Sequence, residues 1–216
     1  MIGRVARAVL GERLFPRVGA LYRAIFVNLQ AVVDSIPTLS PTARVLDIGG
    51  GDGAVLDRLL ARYPESRADM IDLASSMGGS LDPERSARVR TLPRCSIQDY
   101  RKVEHAPPEL VLVSDVLHHV PPAARPTFFA DLREMLAGAP TTIFVKDVEP
   151  MGWRAMAGFL ADRYISGDKG VALISEADVR KLLAATFPDA ALRSTDLIAR
   201  DSPNYSLICE VPPGKP

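Results

Sequence analysis

Residues 44–54 read RVLDIGGGDGA, and this short stretch decides the fold. An apolar run that ends at Ile48 meets four glycines within residues 49–53, and Ala54 opens a helical pattern. A buried strand, a glycine loop and a helix in this order bring a ligand close to the backbone N–H groups at a helix N-terminus. Glycine suits such a loop because a side chain would block the approach and because some positions need a positive φ.

Hydrophobic periodicity extends this unit in both directions along the chain. Apolar residues at steps of three and four predict an amphipathic helix over residues 14–36, ended by Pro37 and Pro41. Residues 74–81 are expected to form a short helix or a loop. The remaining predictions are strands at 44–48, 68–73, 89–95, 110–117, 141–148, 191–199 and 205–211, and helices at 54–63, 122–136 and 176–187, the last opened by a capping box at Ser175.

Strands that alternate with helices predict a mostly parallel, doubly wound α/β sheet with helices on both faces. The last two of the seven strands have no helix between them, so they should pair as an antiparallel hairpin. Pro93 cannot donate a ladder hydrogen bond, which places the third strand at a sheet edge.

Composition limits the function classes that fit this chain. The 216 residues include 26 basic and 26 acidic side chains, so the chain as a whole lacks the basic footprint of a nucleic-acid binder. Two cysteines, Cys95 and Cys209, are too few for a disulfide framework and fit a reducing, cytoplasmic setting. No apolar run approaches the roughly 20 residues of a membrane span. Five arginines within residues 1–23 fit a solvated helix face better than a membrane-bound one.

Carboxylates around the glycine loop bear on the kind of ligand. Asp47 ends the first strand, where the pyrophosphate of a nicotinamide dinucleotide would meet a like charge, and Asp52 adds a second negative charge. A ligand with a cationic amino group suits the site better. Asp72, at the end of the second strand, can accept hydrogen bonds from both hydroxyls of a ribose. The spacing Gly49-x-Gly51-x-x-Ala54 nevertheless keeps a nicotinamide-dependent oxidoreductase as an alternative.

The stretch from Val45 to Gly53 resembles the first motif of class I S-adenosylmethionine-dependent methyltransferases, and the strand pattern of that family fits residues 44–211. The resemblance implies a Rossmann-like methyltransferase fold: a seven-stranded sheet with an antiparallel C-terminal hairpin in a single domain, 1–216. Within it we expect an N-terminal helical lid at 1–40, a cofactor-binding core at 41–216 and a lid insert at about 149–174.

The resemblance also implies roles for particular residues. Asp47, Gly49, Gly50, Gly51 and Gly53 would hold the methionine part of S-adenosylmethionine, and Asp72 would hold the ribose. Leu73 and Ile97 would flank the adenine ring, Asp99 would contact its amino group, and Ser114 and Asp115 would lie beside the methionine and the entering substrate.

A histidine pair, His118 and His119, follows the fourth strand, where open α/β sheets bind ligands. Either histidine is a candidate general base, with His119 the first choice. Methyl transfer from a sulfonium also proceeds by positioning alone, so a base is not obligatory.

The far side of the predicted site follows the fifth strand. For the substrate pocket we expect His118, His119, Lys146, Asp147, Trp153 and Tyr164. Asp115 and Asp147 are also a possible pair of oxygen ligands for a metal, but no third ligand with a recognisable pattern follows, so no metal is expected.

The sequence therefore predicts an enzyme that moves a methyl group from S-adenosylmethionine to an oxygen, nitrogen or carbon of a small organic acceptor, for instance in secondary metabolism, leaving S-adenosylhomocysteine. We expect a monomer or homodimer that binds neither nucleic acid nor membrane. The second alternative is a non-catalytic adenosine-binding protein on the same fold.

Overall fold

The structure is a computed structural model, and it describes residues 28–103, 105–150, 171–195 and 204–214. A seven-stranded sheet forms its centre, in the order β3-β2-β1-β4-β5-β7-β6. The strands are β1 (Arg44–Ile48), β2 (Arg67–Asp72), β3 (Val89–Pro93), β4 (Leu110–Ser114), β5 (Thr141–Val148), β6 (Ala191–Ser194) and β7 (Asn204–Val211).

Helices connect most of the strands. They are α1 (Leu29–Ser35), α2 (Ala54–Arg62), α3 (Pro83–Ser86), α4 (Ile97–Tyr100), α5 (Arg125–Leu136) and α6 (Glu176–Thr186), with 3₁₀ turns at Leu117–His119 and Pro122–Ala124.

Strand pairing confirms the predicted topology. The strands β1 to β5 pair in parallel, whereas β7 pairs antiparallel with both β5 and β6. Strand β3 lies at one edge, as Pro93 indicated. The strand order reverses between β1 and β4, since β2 and β3 lie on one side of β1 and the later strands on the other. A crevice at the carboxyl ends of the strands is expected at such a switch point.

Alternating side chains of the central strands feed two separate cores, one on each face of the sheet. On one face, Leu110 and Leu112 pack with the buried residues of α1 and α2. On the other face, Val111 and Val113 pack with α4, α5 and α6. The sheet is therefore doubly wound, as the alternation of strands and helices predicted.

Several predicted boundaries are wrong, and the backbone explains them. The fourth strand was expected to reach Leu117, but β4 stops at Ser114 because Asp115 adopts a left-handed conformation (φ 59°) and turns the chain out of the sheet. The third strand was expected to reach Cys95, but β3 stops at Pro93, before Arg94 (φ 56°). Residues 122–124 form a 3₁₀ turn ahead of α5 instead of its first turn.

Much of the predicted lid falls outside the described residues. Only α1 represents the predicted helix at 14–36, and Ile36 ends it one residue before Pro37. The arginines of residues 1–23, and Trp153 and Tyr164 of the insert, lie outside the described ranges. In the described part of the chain, no helix combines the length and apolar character needed to cross a membrane.

Candidate functional site

The glycine loop follows β1 at the carboxyl edge of the sheet. Gly49 (φ 67°) and Gly50 donate their N–H groups to the carbonyl of Ile71, at 2.8 and 3.3 Å, which holds the loop against β2. A Cβ at Gly49 would lie 2.7 Å from Val116 Cγ2, and one at Gly50 would lie 2.6 Å from Met70 Cγ. The loop therefore accommodates only glycine at these two positions, and its backbone faces the crevice directly.

Asp72 links the loop to the end of β2. Its Oδ2 accepts the N–H of Gly51 at 2.9 Å, and its Oδ1 accepts the N–H of Ala74 at 2.8 Å. A carboxylate has about four acceptor sites, so two such bonds leave capacity for a ligand's hydroxyl groups. Asp72, the residue predicted to bind the ribose, therefore also fixes the shape of the loop.

Asp47 lies beneath the loop and is 4% exposed. Burial, together with the neighbouring negative charges of Asp72 and Asp52, raises the pKa of its carboxyl to about 7. Neither Asp47 nor Asp72 forms an ion pair with a basic side chain among the residues that the structure describes. Asp47 and Asp72 form an acidic surface beside the loop, the electronegative cradle, to which the described residues supply no cation.

A cavity of about 500 Å³ opens beside the loop. Its walls come from the carboxyl ends of β1 to β4 and from one face of α5. Leu73 borders it and is 75% exposed, the one large apolar side chain of the described residues that is so exposed. The lining residues are Ile48, Gly49, Ile71, Asp72, Leu73, Cys95, Ser96, Ile97, Gln98, Asp115, Val116, His119, Val120, Pro121, Ala124, Thr127, Phe128 and Asp131.

Six of the predicted site residues meet in this cavity: Gly49, Asp72, Leu73, Ile97, Asp115 and His119. The sequence analysis missed the contribution of α5. The apolar face of that helix was recognisable, but only the tertiary structure places Thr127, Phe128 and Asp131 in the cavity wall. Cys95 and Cys209 are both buried and free, and Cys95 also borders the cavity.

Asp99 lies apart from the cavity walls and caps α4. Its Oδ2 accepts the Ser96 hydroxyl at 2.6 Å and the Ser96 N–H at 3.3 Å, while Ser96 Oγ accepts the N–H of Asp99. These bonds, chiefly from the Ser96 hydroxyl, lower the pKa of the Asp99 carboxyl. In this structure the residue closes a capping box.

The ends of β4 and β5 carry a second set of charges. Lys146 is fully buried, and its Nζ donates to Asp115 Oδ1 at 2.6 Å. Asp115 is held in its left-handed conformation by this bond and by its own N–H, which donates to the Lys146 carbonyl at 2.9 Å. Lys146 therefore lies behind Asp115, whose half-exposed carboxylate borders the cavity.

Asp147 and His118 form a buried pair beside this one. Asp147 is fully buried, and its Oδ1 lies 2.7 Å from His118 Nδ1, while its Oδ2 accepts the His118 N–H at 3.3 Å. The ring of His118 packs on that of His119, with centroids 4.2 Å apart. Of the two histidines, His119 borders the cavity and His118 supports it from behind. Lys146 and Asp147 are fully buried and outside the lining of the cavity, and their predicted role in the substrate pocket stays a prediction.

Residues 171–174 cover this charged layer. The N–H of Ala172 donates to the His118 carbonyl at 2.8 Å, and Arg125 Nη2 donates to the Ala172 carbonyl. The hydroxyl of Tyr205 donates to the Ile174 carbonyl at 3.1 Å. The described end of the predicted lid insert is thus anchored to the histidine turn.

One group of potential metal ligands exists among the described residues. Ligand atoms of Asp115, His118 and Asp147 lie within 4.8 Å of one another. Each already has a partner inside the protein, and the Lys146 ammonium occupies one Asp115 oxygen. The cluster therefore carries its own cation, and the expectation of no metal remains a prediction.

Comparison with known proteins finds a family match for part of the chain. Residues 45–138 match the family model described as "Methyltransferase domain". No curated protein matches the chain.

Many solved structures share the fold at low sequence identity. An O-methyltransferase family protein from Burkholderia thailandensis is 16% identical with a TM-score of 0.65, over 91% of this chain and 60% of that one. An N,N-8-amino-8-demethyl-D-riboflavin dimethyltransferase from Streptomyces davawensis is 16% identical with a TM-score of 0.66, over 92% and 57%. An O-methyltransferase from neocarzinostatin biosynthesis, in complex with S-adenosylhomocysteine and 1,4-dihydroxy-2-naphthoic acid, is 18% identical with a TM-score of 0.64, over 93% and 57%.

The chain spans about three fifths of the length of these structures. The matched residues contain the glycine loop, the cavity-lining ends of β2 to β4 and α5. The resemblance inferred from the sequence is therefore confirmed: residues 45–138 match the methyltransferase domain family, and the described chain has the Rossmann-like class I methyltransferase fold.

Proposed function

We propose that this protein binds S-adenosylmethionine at the carboxyl edge of its sheet and transfers the methyl group to a small organic acceptor. The observation that carries the proposal is the electronegative cradle beside the cavity. Asp47 and Asp72 lie there with no basic partner in the described structure, and the cavity of about 500 Å³ opens next to them. A ligand with an ammonium, a sulfonium and an adenosine complements both features.

The charge of the cradle also separates the rival ligands. A pyrophosphate at the glycine loop would face the carboxylates of Asp47 and Asp72, so electrostatic repulsion disfavours a nicotinamide dinucleotide. The cationic methionine of S-adenosylmethionine would instead offset the repulsion between these carboxylates. Asp47 would hold the methionine end from below, together with Gly49, Gly50, Gly51 and Gly53 of the loop.

The adenosine would occupy the part of the cavity between the ends of β2 and β3. Asp72 would accept the ribose hydroxyls while it keeps its bond to the Gly51 N–H. Leu73 and Ile97 would flank the adenine ring, and the 75% exposure of Leu73 is the exposure expected of a side chain whose partner is a ligand. Ser114 and Asp115 would lie beside the methionine.

The acceptor would enter beside His119, on the side of the cavity formed by the turn after β4. The walls there include Val116, Val120 and Phe128, which suit a flat or apolar compound more than a highly charged one. Trp153 and Tyr164 of the insert are proposed to complete this region. One similar structure is in complex with 1,4-dihydroxy-2-naphthoic acid, and another is named as an aminoriboflavin dimethyltransferase, so the proposal leaves the methylated atom open among oxygen, nitrogen and carbon.

For the proton of the acceptor we propose His119 as general base, with His118 as the alternative. His119 borders the cavity, and its ring packs on His118, which Asp147 holds from behind. A fixed imidazole at the cavity wall is suited to take a proton from a hydroxyl near pH 7. An amine acceptor would need no such base. We further propose a monomer or homodimer without nucleic-acid or membrane partners.

The test is isothermal titration of the purified protein with S-adenosylmethionine, S-adenosylhomocysteine and NADH. We expect both adenosyl ligands to bind and NADH not to bind. Asp72→Ala should weaken S-adenosylhomocysteine at least tenfold, because hydrogen bonds to a charged group contribute about 1.5–3 kcal/mol each. Asp189→Ala is the matched control, since Asp189 is exposed.

Each other outcome has a definite meaning. Binding of NADH alone would replace the proposal with an oxidoreductase. Binding of S-adenosylhomocysteine without methyl transfer from labelled S-adenosylmethionine to any phenol, carboxylic acid or amine of a broad panel would favour the non-catalytic alternative. Where an acceptor hydroxyl is methylated, His119→Gln should lower kcat by about 10²–10⁴ while leaving cofactor affinity unchanged.

A further inference from the structure

Two side chains join the walls of the cavity on the side of β3. Gln98, on α4, donates its Nε2 to Asp131 Oδ2, on α5, at 2.9 Å. Both residues border the cavity, together with Leu73 and Ile97. The bond connects positions 33 residues apart in sequence. It is therefore a feature of the tertiary structure that no local pattern could indicate.

The remaining bonding capacity of this pair faces a ligand of complementary chemistry. Asp131 uses Oδ2 for Gln98, and no bond to its Oδ1 exists in the described structure. A carboxylate accepts hydrogen bonds only, and the Gln98 amide retains a second N–H donor and its oxygen. Acceptor and donor thus stand side by side at one edge of the cavity. The 6-amino group and the adjacent ring nitrogen of adenine present the matching donor and acceptor.

Asp99 is poorly placed for the same task. It does not border the cavity, its Oδ2 accepts the bonds of the α4 capping box, and its Oδ1 accepts the Lys102 ammonium at 3.3 Å. A ligand that bonded to Oδ2 of Asp99 would compete with the capping box of α4. Of the aspartates on the cavity wall, Asp131 is the one bonded to α4, the helix that carries Ile97.

We propose that Asp131, steadied by Gln98, recognises the 6-amino edge of the adenine ring, and that Asp99 has a structural role at the start of α4. This assignment rests on the proposed cofactor and departs from the role that the sequence resemblance implies for Asp99. Because a carboxylate accepts from an amino group but repels a carbonyl oxygen, Asp131 makes the site selective for adenosyl over inosyl ligands.

The experiment compares S-adenosylhomocysteine with S-inosylhomocysteine, in which a carbonyl replaces the 6-amino group. Isothermal titration of the full chain should show that the wild-type protein prefers the adenosyl ligand at least tenfold. Asp131→Asn should abolish or invert the preference, because its amide can donate to the carbonyl. Asp131→Ala should remove the preference, because it weakens the adenosyl ligand about tenfold and relieves the repulsion of the inosyl carbonyl. Gln98→Ala should reduce the preference in the same direction by a smaller factor.

Asp99→Asn is the matched control and should keep the preference of the wild-type protein. Circular dichroism of every variant identifies any that fails to fold, and the two Asp131 variants provide independent readings. A preference that survives in both Asp131 variants, or that disappears in Asp99→Asn, overturns the assignment. Failure of the wild-type protein to bind S-adenosylhomocysteine would instead refute the proposed function, so the two failures are distinguishable.

Discussion

The two halves of the carboxyl edge of the sheet differ in whether their charged side chains have partners within the protein. At the ends of β1 and β2, Asp47 and Asp72 lie close together without a basic partner among the described residues. At the ends of β4 and β5, Asp115 is paired with Lys146 and Asp147 with His118. The first half carries a charge that a ligand must balance, whereas the second half is balanced within the protein. The difference indicates that the cation to be bound approaches the glycine loop, and that the charges behind the histidines have a positioning role.

The largest change in the free energy of unfolding is expected when the buried Asp147–His118 pair is broken. Asp147→Ala would leave the buried His118 ring and two backbone N–H groups without their acceptor. Removal of one partner from a buried pair costs on the order of 3–5 kcal/mol of unfolding free energy. Urea denaturation should show this loss, with Asp189→Ala unchanged and Asp147→Asn in between. Equal stability of Asp147→Ala and the control would mean that the pair is not buried as described.

A smaller change in stability, of opposite sign, is expected when the charge of Asp47 is removed. The pKa of Asp47 is raised to about 7, so the folded state binds its proton more tightly than the unfolded state does. Stability should therefore fall as pH rises from about 4 to 7 and level off above 7. Asp47→Asn should remove this cost and stabilise the ligand-free protein at pH 8 by roughly 2–4 kcal/mol, at about 1.4 kcal/mol per pKa unit.

The same substitution should impair ligand binding. Because an ionised Asp47 attracts the methionine ammonium, wild-type affinity for S-adenosylhomocysteine should rise as pH increases through 7, and Asp47→Asn should flatten that dependence at a lower affinity. Denaturation and titration at pH 6 and pH 8 check both expectations. A variant that is less stable than wild type at pH 8 would show that the negative charge of Asp47 is compensated in the ligand-free protein.

The smallest effect should come from the capping box of α4, which follows the edge strand β3. Asp99→Ala removes the acceptor of the Ser96 hydroxyl and N–H at the start of α4. Loss of a capping interaction costs about 0.5–2 kcal/mol, and the partial exposure of this site places the expected value near the lower end. Thermal denaturation should detect a shift of a few degrees. A shift as large as that of Asp147→Ala would contradict the distinction between a surface cap and a buried pair.

Local sequence was sufficient for most of the fold. The glycine loop, the order of strands and helices and the antiparallel terminal strands follow from local patterns, because alternation, glycine and proline act over a few residues. The predicted ends of β3 and β4 are wrong because of the backbone conformation of one residue after each strand, which the residue types do not reveal. Arg94 and Asp115 adopt positive φ, which non-glycine residues rarely do, and only surrounding contacts maintain it.

The residues of the site show the same distinction between local sequence and tertiary structure. Gly49, Asp72, Asp115 and His119 were identified because each lies at or just after a strand end, and the ends of parallel strands meet at one edge, whereas Leu73 and Ile97 were implied by the family resemblance. Lys146 and Asp147 lie near the end of β5, yet both are fully buried, Lys146 paired with Asp115 and Asp147 with His118. Asp131 lies within a helix, so its place in the cavity wall depends on how α5 packs across the sheet.

The sequence by itself determined that this chain folds as a mostly parallel sheet with a glycine loop after its first strand, because those features depend on residue spacing. Only the tertiary structure decided which charges pair with one another and which remain for a ligand. That distinction depends on distances between residues such as Gln98 and Asp131, or His118 and Asp147, which lie about 30 positions apart and meet only when the sheet and its helices are assembled.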